Sequence, residues 1–453
     1  MQSKPALIAI CALSLIPFTA MVATAQVAAG DGARLEQAAT LISGDRLAEA
    51  EQQLNAILKA KPNDALALNL LGTVRAKQGR LDEAETLFSR AIRADNGFAG
   101  AHMNLAYLYV LKGVPEKTIS ELKEVLRLDP ENADARYKLA RLLFSQGRLD
   151  ECVALIKKAT LPLPAHMAVV LGDAYLKKGD LKKAEESYLH ALEGERNDAD
   201  ALLGLALVSR SAGDANGAST YLARAKESIA DSPESLYRFA VTALRVELFD
   251  DARWALERAT RLRPNEPTYF VALGAAWLKK PELFEAERVF RQALRLRPDD
   301  PQAQMYLGYT LLKQKKYPEA REWLEQSVRR DAATPETFYY LGVIAQEQNE
   351  DLRAVEFFEN AIRLQPAFAN AHVALGSTYL KLKNYERARQ ELEAGAKLNP
   401  DDSKAHYNLA RLYAQLKDPQ RAQQEMRIVE KLKSAGKAQE GRDADAPAPS
   451  NPR

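Results

Sequence analysis

The chain has 453 residues, of which 63 are lysine or arginine and 61 are aspartate or glutamate, so the formal net charge at pH 7 is +2. This balance excludes a general electrostatic attraction to nucleic acid. A hydrophobic content of 47% and a charged content of 27% are ordinary for a soluble protein.

Residues 1–25 differ in composition from the rest of the chain. Lys4 precedes an apolar run that contains Pro17 and ends in Ala23-Thr24-Ala25, a small-x-small pattern. This pattern predicts a secretory signal peptide cleaved after Ala25, and hence a periplasmic or secreted protein with no membrane span after cleavage. The alternative is an uncleaved anchor, which is less favoured because proline interrupts the run and the run barely reaches spanning length.

From Asp31 to Leu432 the chain repeats one pattern twelve times, with a spacing of 34 residues at every step except one. A small residue marks one phase of the pattern: Ala38, Gly72, Ala106, Ala140, Gly172, Ala206, Ala240, Gly274, Gly308, Gly342, Gly376 and Ala410. Twelve positions later comes a second series: Ala50, Ala84, Thr118, Cys152, Ala184, Ala218, Ala252, Ala286, Ala320, Ala354, Ala388 and Ala422. Such a period indicates an array of helical units that pack on one another.

The pattern predicts two amphipathic helices in each repeat. Tyr317, Ala320, Leu324 and Val328, for example, recur at helical intervals along a second helix. A large apolar residue lies four positions after each second small residue, so it can fill the groove between closely packed helices. Glycine follows many first helices and proline follows many second helices, and both residues end a helix. We therefore predict an all-α solenoid with repeats starting near 31, 65, 99, 133, 165, 199, 233, 267, 301, 335, 369 and 403.

The array is expected to span residues 26–432, including a final helix from Pro419 to about Leu432. Residues 433–453 lose the apolar pattern and are rich in alanine, proline, glycine and charged residues, which predicts a disordered tail. Signal cleavage would leave Cys152 as the one cysteine. Because Cys152 occupies the second small-residue phase, we expect a buried packing residue rather than a reactive thiol.

The pattern resembles the tetratricopeptide repeat (TPR) family. A good copy contains Leu375, Gly376, Tyr379, Ala388, Leu392 and Pro400, and the resemblance covers about 400 residues in twelve copies. The aromatic residue that the family has near the start of the first helix is mostly replaced here. The resemblance implies a right-handed superhelix whose first helices line a concave groove for peptides or partner proteins.

Motifs that carry enzyme chemistry are absent from the sequence: it has no HExxH, no GxxxxGK[ST] and no GxSxG. His102, His372 and His406 share one phase of the first helix but have no neighbouring ligands at metal-binding spacing, so we interpret them as packing residues. We expect no catalytic residues, no metal, no cofactor and no nucleic-acid partner.

Family geometry places certain positions of the first helices in the groove. These positions predict a partner-binding set of Met103, Tyr107, Val110, Tyr137, Arg141, Phe144, Tyr237, Arg245, Tyr309, Lys313, Tyr339, Tyr407 and Arg411. Tyrosine and arginine are frequent interface anchors because each buries a large area and keeps a polar group. The alternative is that these tyrosines only pack against neighbouring repeats.

The sequence thus predicts an exported, non-enzymatic scaffold that binds protein or peptide partners. Two alternatives remain open: a subunit of an envelope assembly or of polysaccharide or outer-membrane export machinery, and an accessory to an enzyme that is active only in complex. The sequence names no partner, and self-association is equally open.

Overall fold

The protein is described from a computed structural model, which covers residues 31–159, 162–280, 282–328 and 333–444. These residues form 24 α-helices and no strand, which confirms the predicted all-α fold class. Helices pair in sequence, and we call the odd-numbered members A helices and the even-numbered members B helices. Residue contacts divide the chain into two compact units, unit 1 (1–228) and unit 2 (229–453). The predicted signal peptide lies outside the described residues.

Unit 1 contains six A–B pairs within its described part. Its helices are α1 (Asp31–Ser43), α2 (Leu47–Ala60), α3 (Ala65–Lys77), α4 (Leu81–Ala94), α5 (Ala99–Leu111), α6 (Pro115–Leu128), α7 (Ala133–Ser145), α8 (Leu149–Lys157), α9 (Ala165–Lys178), α10 (Leu181–Gly194), α11 (Ala199–Ser211) and α12 (Ala215–Ser228).

Unit 2 also contains six pairs within its described part. Its helices are α13 (Pro233–Arg245), α14 (Phe249–Leu262), α15 (Pro267–Lys279), α16 (Leu283–Leu296), α17 (Pro301–Lys313), α18 (Tyr317–Val328), α19 (Pro335–Glu347), α20 (Asp351–Leu364), α21 (Ala369–Lys381), α22 (Tyr385–Leu398), α23 (Ser403–Gln415) and α24 (Pro419–Ala444).

In eleven turns from an A helix to its B helix, one described residue lies in the left-handed backbone region. Five turns of unit 1 use glycine there, with φ between 68° and 84°. Turns of unit 2 use Glu247, Lys315, Asn349, Lys383 or Lys417, yet φ stays between 58° and 66°. The turn therefore keeps its geometry where glycine is lost, although a side chain disfavours this region.

Where the small residue of an A helix is glycine, it lies against the large residue sixteen positions later in its B helix. A Cβ atom built on Gly72 would lie 2.6 Å from Cε1 of Phe88, and one built on Gly308 would lie 2.5 Å from Cγ of Leu324. Glycine stands opposite all four aromatic partners, whereas alanine stands opposite leucine, isoleucine or methionine. Close packing of this kind leaves no room for an added methyl group beside a ring.

Cys152 follows the same packing logic in α8. Its side chain is fully buried, and its Sγ lies 3.3 Å from the carbonyl oxygen of Ala140 in α7. Burial raises the pKa of the thiol to about 11. The residue is thus a packing element with little thiolate at neutral pH.

The last helix differs from the prediction. α24 continues to Ala444, so the expected boundary at Leu432 between array and tail is not a helix end. Residues 433–444 include three alanine and two lysine residues, which favour helix, and the next proline is Pro447. Residues 445–453 lie outside the described part. Met426 of this helix is 37% exposed, because α24 is the last described helix and no further pair covers it.

Candidate interaction surface on the A helices

Three half-buried aromatic side chains lie on neighbouring A helices of unit 1, and we call Tyr107, Tyr137 and Phe144 the aromatic patch. Tyr107 of α5 donates its hydroxyl to Asp134 of α7 at 3.0 Å. Lys138 of α7 lies over the Tyr107 ring, with its Nζ 5.3 Å from the centroid, and pairs with Asp134 at 2.8 Å. These contacts hold Tyr107 in place across two successive repeats.

The other two rings of the patch share one face of α7, together with Arg141. Tyr137, Arg141 and Phe144 are spaced at i, i+4 and i+7, so their side chains follow one another along the helix. Nη1 of Arg141 donates to the Tyr137 hydroxyl at 3.1 Å, and its Cζ lies 5.8 Å from the centroid of that ring. The helix therefore presents alternating aromatic and cationic groups.

The next A helix, α9, contributes two further side chains to this surface. The His166 ring meets the Tyr137 ring edge-on, with centroids 4.8 Å apart. Lys177 Nζ lies 5.2 Å from the centroid of Phe144. Each of the three aromatic rings in the patch thus has a cationic side chain placed over it, a contact worth about 0.5–1 kcal/mol at exposed sites.

The equivalent positions of unit 2 form a different arrangement. Lys313 is exposed and lies over Tyr309, with its Nζ 5.4 Å from the ring centroid. Tyr309 in turn packs against Tyr340, with centroids 4.8 Å apart. Tyr407 is 48% exposed, and Arg411 lies over its ring with Cζ at 5.9 Å from the centroid.

Several predicted partner-binding residues are placed mainly for packing. Met103 is only 7% exposed and belongs to an apolar core cluster of unit 1 that includes Ala135 and Leu139 of the next A helix. Tyr339 is half-buried and packs against Tyr340, Phe358 and Phe368. Burial raises the pKa of its phenol.

Of the remaining predicted residues, Tyr237 also packs on a neighbour, with its ring centroid 5.3 Å from that of Tyr269. Burial raises the pKa of the Tyr237 phenol. Val110 is half-buried, and Arg245 is exposed at the end of α13. The packing alternative therefore describes Met103, Tyr237 and Tyr339 well, whereas the aromatic patch keeps part of each ring accessible.

Lys138, Lys177 and His166 belong to the surface but were absent from the predicted set. Each lies on the A helix of the repeat after the one that carries the ring it contacts. Its contact with that ring therefore depends on how adjacent repeats stack. The residue pattern within a single helix contains no signal for such contacts between repeats. A search for cations one repeat after an aromatic residue would have found Lys138 and Lys177.

The histidines at the shared A-helix phase make structural contacts. His372 Nδ1 lies 2.7 Å from Oε2 of Glu391 and its Nε2 donates to the Pro366 carbonyl at 3.0 Å. His406 repeats both contacts, with Glu425 at 2.6 Å and the Pro400 carbonyl at 2.9 Å. Across the described residues, no three His, Cys, Asp or Glu side chains come together as metal ligands would.

We expect the His372 contact to make stability depend on pH. Its hydrogen bond with Glu391 raises the pKa of His372 above its ordinary value of 6.5. The stabilisation is therefore fully present below about pH 6.5, where the unfolded histidine is also protonated, and is lost as pH rises through the folded pKa. Comparing denaturant midpoints of the wild type and H372Q from pH 5.5 to 8.5 should show their difference shrinking as pH rises.

Glutamine is a matched replacement at this position. Gln304 occupies the same repeat position and donates its side-chain amide to the Pro298 carbonyl at 2.9 Å. H372Q can thus keep the carbonyl bond while removing the titrating group. A midpoint difference that is constant with pH would show that the imidazolium–carboxylate contact contributes nothing.

No helix among the described ranges is long and apolar enough to cross a lipid bilayer. This finding concerns residues 31–444 apart from the gaps stated above, so it does not test the predicted signal segment.

Protein-family models of one repeat family match most of the array. Three models, each described as Tetratricopeptide repeat, match residues 35–99, 169–233 and 284–335, residues 112–171 and 352–407, and residues 392–424. These stretches carry the small-residue phases and the paired helices described above.

Similar curated proteins match only through part of their length. Cellulose synthase operon protein C of Xanthomonas axonopodis pv. citri (strain 306) is 29% identical over 253 residues, which cover 55% of this chain and 15% of that protein. Protein O-mannosyl-transferase TMTC3 of Mus musculus is 28% identical over 168 residues, covering 33% of this chain and 18% of that protein. The matches span less than a fifth of either relative.

Solved structures also align with this chain. The APC/C hetero-tetramer Cut9-Hcn1 aligns with a TM-score of 0.45 at 14% identity, over 95% of this chain and 96% of the other. Yeast Tom70 aligns with a TM-score of 0.42 at 17% identity, over 89% and 96% of the two chains.

Proposed function

Because this chain belongs to the tetratricopeptide repeat family, we propose that it is a non-enzymatic scaffold whose A helices bind protein or peptide partners. The aromatic patch of unit 1 is the observation that carries the proposal. Its three rings are half-buried, so each is held by the core on one side and open on the other. Rigid, partly exposed aromatic side chains bind a partner with little loss of side-chain entropy.

The surface is better suited to binding than to catalysis. Its hydrogen-bonding groups are exposed or half-buried side chains, in contact with solvent. A chemical step needs groups whose pKa values are set by an enclosed site. The alternative of an accessory to an enzyme, active only in complex, requires the partner to supply that site.

We further propose that the protein is exported and acts in the periplasm or outside the cell. The support is the sequence of residues 1–25, with Lys4, the apolar run and the small-x-small pattern before Gln26. N-terminal sequencing of the protein recovered from cells would test this. Recovery of a chain that still begins at Met1 would contradict cleavage.

A second candidate function is a subunit of an envelope assembly or of polysaccharide or outer-membrane export machinery. The similarity to a protein named for a cellulose synthase operon, over 55% of this chain, favours it. This candidate differs from a general scaffold in the partner it requires. The identity of the partner bound at the A helices distinguishes the two.

Site-specific photo-crosslinking in the producing cell tests the binding surface. The photoreactive residue p-benzoylphenylalanine is placed at Tyr137 in the aromatic patch, at Tyr407 on an A helix of unit 2, or at Phe284 on a B helix. Phe284 is the matched control because its aromatic side chain is 79% exposed. We expect adducts from Tyr137 and none from Phe284.

The adducts also decide between the alternatives. An adduct with a polysaccharide-export component favours the second candidate, and an adduct of twice the chain mass indicates self-association. Adducts from Phe284 alone would place binding on the B helices and overturn the proposal. In the protein that carries the photoreactive residue at Tyr137, the additional changes Y107A and F144A should reduce the adduct yield several-fold if the patch recognises the partner.

A further inference from the structure

Cationic side chains near the turns of both units are paired with carboxylates of the preceding repeat. In unit 1, Lys77 pairs with Asp45 at 3.2 Å and Lys112 with Asp82 at 2.7 Å. In unit 2, Lys381 pairs with Asp351 at 2.8 Å. The chain therefore provides acidic partners for cations where repeats meet at this edge.

Two cations beside the aromatic patch have no such partner. No described carboxylate forms an ion pair with Arg141, whose contacts are the hydroxyl and ring of Tyr137. Lys177 is exposed, and its contact is the ring of Phe144. Both charges thus lie over aromatic rings; Lys177 is exposed and Arg141 is half-buried, and each keeps N–H donors that no described carboxylate accepts.

The acidic side chains of the same helices are already engaged. Asp134 accepts from Tyr107 and pairs with Lys138. Asp173 of α9 accepts from the hydroxyl of Tyr188 at 2.7 Å. The patch therefore carries positive charge that its own carboxylates do not neutralise.

Resting on the function proposed above, we propose that the aromatic patch binds an acidic segment of a partner protein. Carboxylates of the segment bind Arg141 and Lys177, and its apolar side chains pack on Tyr137 and Phe144. A guanidinium offers a carboxylate two parallel donors, and such charge-assisted bonds are about twice as strong as neutral ones. The rings beneath the cations hold them in place and exclude water from one side.

A peptide fits these observations better than a nucleic acid does. Nucleic-acid binding uses many phosphate contacts, which require a broad basic surface. The patch has two unpaired cations, and the whole chain has a net charge of +2. A phosphate-rich ligand is therefore retained only as an outcome of the test.

A random peptide library tests the proposal even though the partner protein is unidentified. Twelve-residue random peptides are displayed and selected on the full chain, on R141Q/K177Q, and on R411Q/K313Q. The last variant is the matched control, because Arg411 and Lys313 occupy the same repeat positions in unit 2 and also lie over aromatic rings, those of Tyr407 and Tyr309. We expect enrichment of aspartate and glutamate on the wild type and the control, and its loss on R141Q/K177Q.

Fluorescence anisotropy then measures the affinity of one enriched peptide, and it separates the contribution of charge from that of apolar contact. We expect the peptide with its acids changed to amides to bind the wild type at least about tenfold more weakly. R141Q/K177Q should bind both peptides alike, and Y137A/F144A should bind neither. An oligonucleotide of thymidine that displaces the peptide more effectively than a second acidic peptide would overturn the choice of a protein partner.

The two proposals fail in different ways. Equal binding of the acidic and amide peptides, lost in Y137A/F144A, would overturn the acidic partner but keep the A-helix surface. Loss of acid enrichment on R411Q/K313Q alone would overturn the assignment to this patch. A selection without any enriched peptide would count against the binding surface itself.

Discussion

Replacing Tyr188 with alanine should destabilise the repeats around α10 by about 3–5 kcal/mol, the range for removing a large buried aromatic side chain. Tyr188 is fully buried. A Cβ atom on Gly172 would lie 2.6 Å from Cε1 of its ring, and one on Gly204 of the next A helix would lie closer still, beside Cζ of the same ring. Two glycines have no side chains to move into the cavity, so the cost should lie at the upper end.

Y188F is the control that separates the ring from its hydroxyl. The hydroxyl donates to Asp173 at 2.7 Å, so its removal should cost about 1–2 kcal/mol while the ring still fills the space. Hydrogen exchange of amides in α9, α10 and α11 measures both effects locally, which suits an array whose stability is a sum over neighbouring repeats. Equal protection in Y188A and Y188F would show that the ring is not a central packing element.

A methyl group added at Gly342 should be more costly than one added at Gly308. The partner of Gly342 is the ring of Phe358, whereas the partner of Gly308 is Leu324. Ala106, Ala206 and Ala240 already stand opposite leucine in other repeats, so a leucine partner can accommodate a methyl group. We expect G342A to lower the free energy of unfolding by about 1–3 kcal/mol through overpacking.

G308A should stay within about 1 kcal/mol of the wild type, because the better helix propensity of alanine offsets the tighter contact. Denaturant unfolding monitored by hydrogen exchange in α17 and α19 measures the two variants side by side. A double-mutant cycle adds F358L, which should restore much of the stability lost in G342A. Additive effects in that cycle would contradict direct contact between the two positions.

Much of the fold follows from the spacing of small residues. Gly72, Gly308 and their equivalents recur at one phase because two helices must approach closely there, and this requirement is visible in one helix at a time. The all-α class is predictable for the same reason. The left-handed turn is partly hidden, since Lys315 and Lys383 adopt it without glycine; the surrounding helix pair imposes the geometry on them.

The candidate surface was less predictable. Tyrosines at one helix phase look alike in sequence, yet Tyr339 packs among Tyr340, Phe358 and Phe368 while Tyr407 is half exposed. Tyr340 and Phe358 belong to the same helix pair as Tyr339, and Phe368 lies just before the next pair, so the difference arises from the side chains that folding brings beside each ring. Met103 was predicted to face a partner for the same reason, and the neighbouring helix pair buries it instead.

By itself, the sequence determined that this protein is an array of paired helices with small-to-large packing inside each repeat. That information is local: it depends on residues within about one repeat and on the 3.6-residue period of a helix. Only the tertiary structure decided which aromatic rings stay accessible, which histidines bond to carboxylates, and which cations have no acid beside them. These properties depend on contacts between repeats, because burial and charge pairing are set by the side chains that packing brings together.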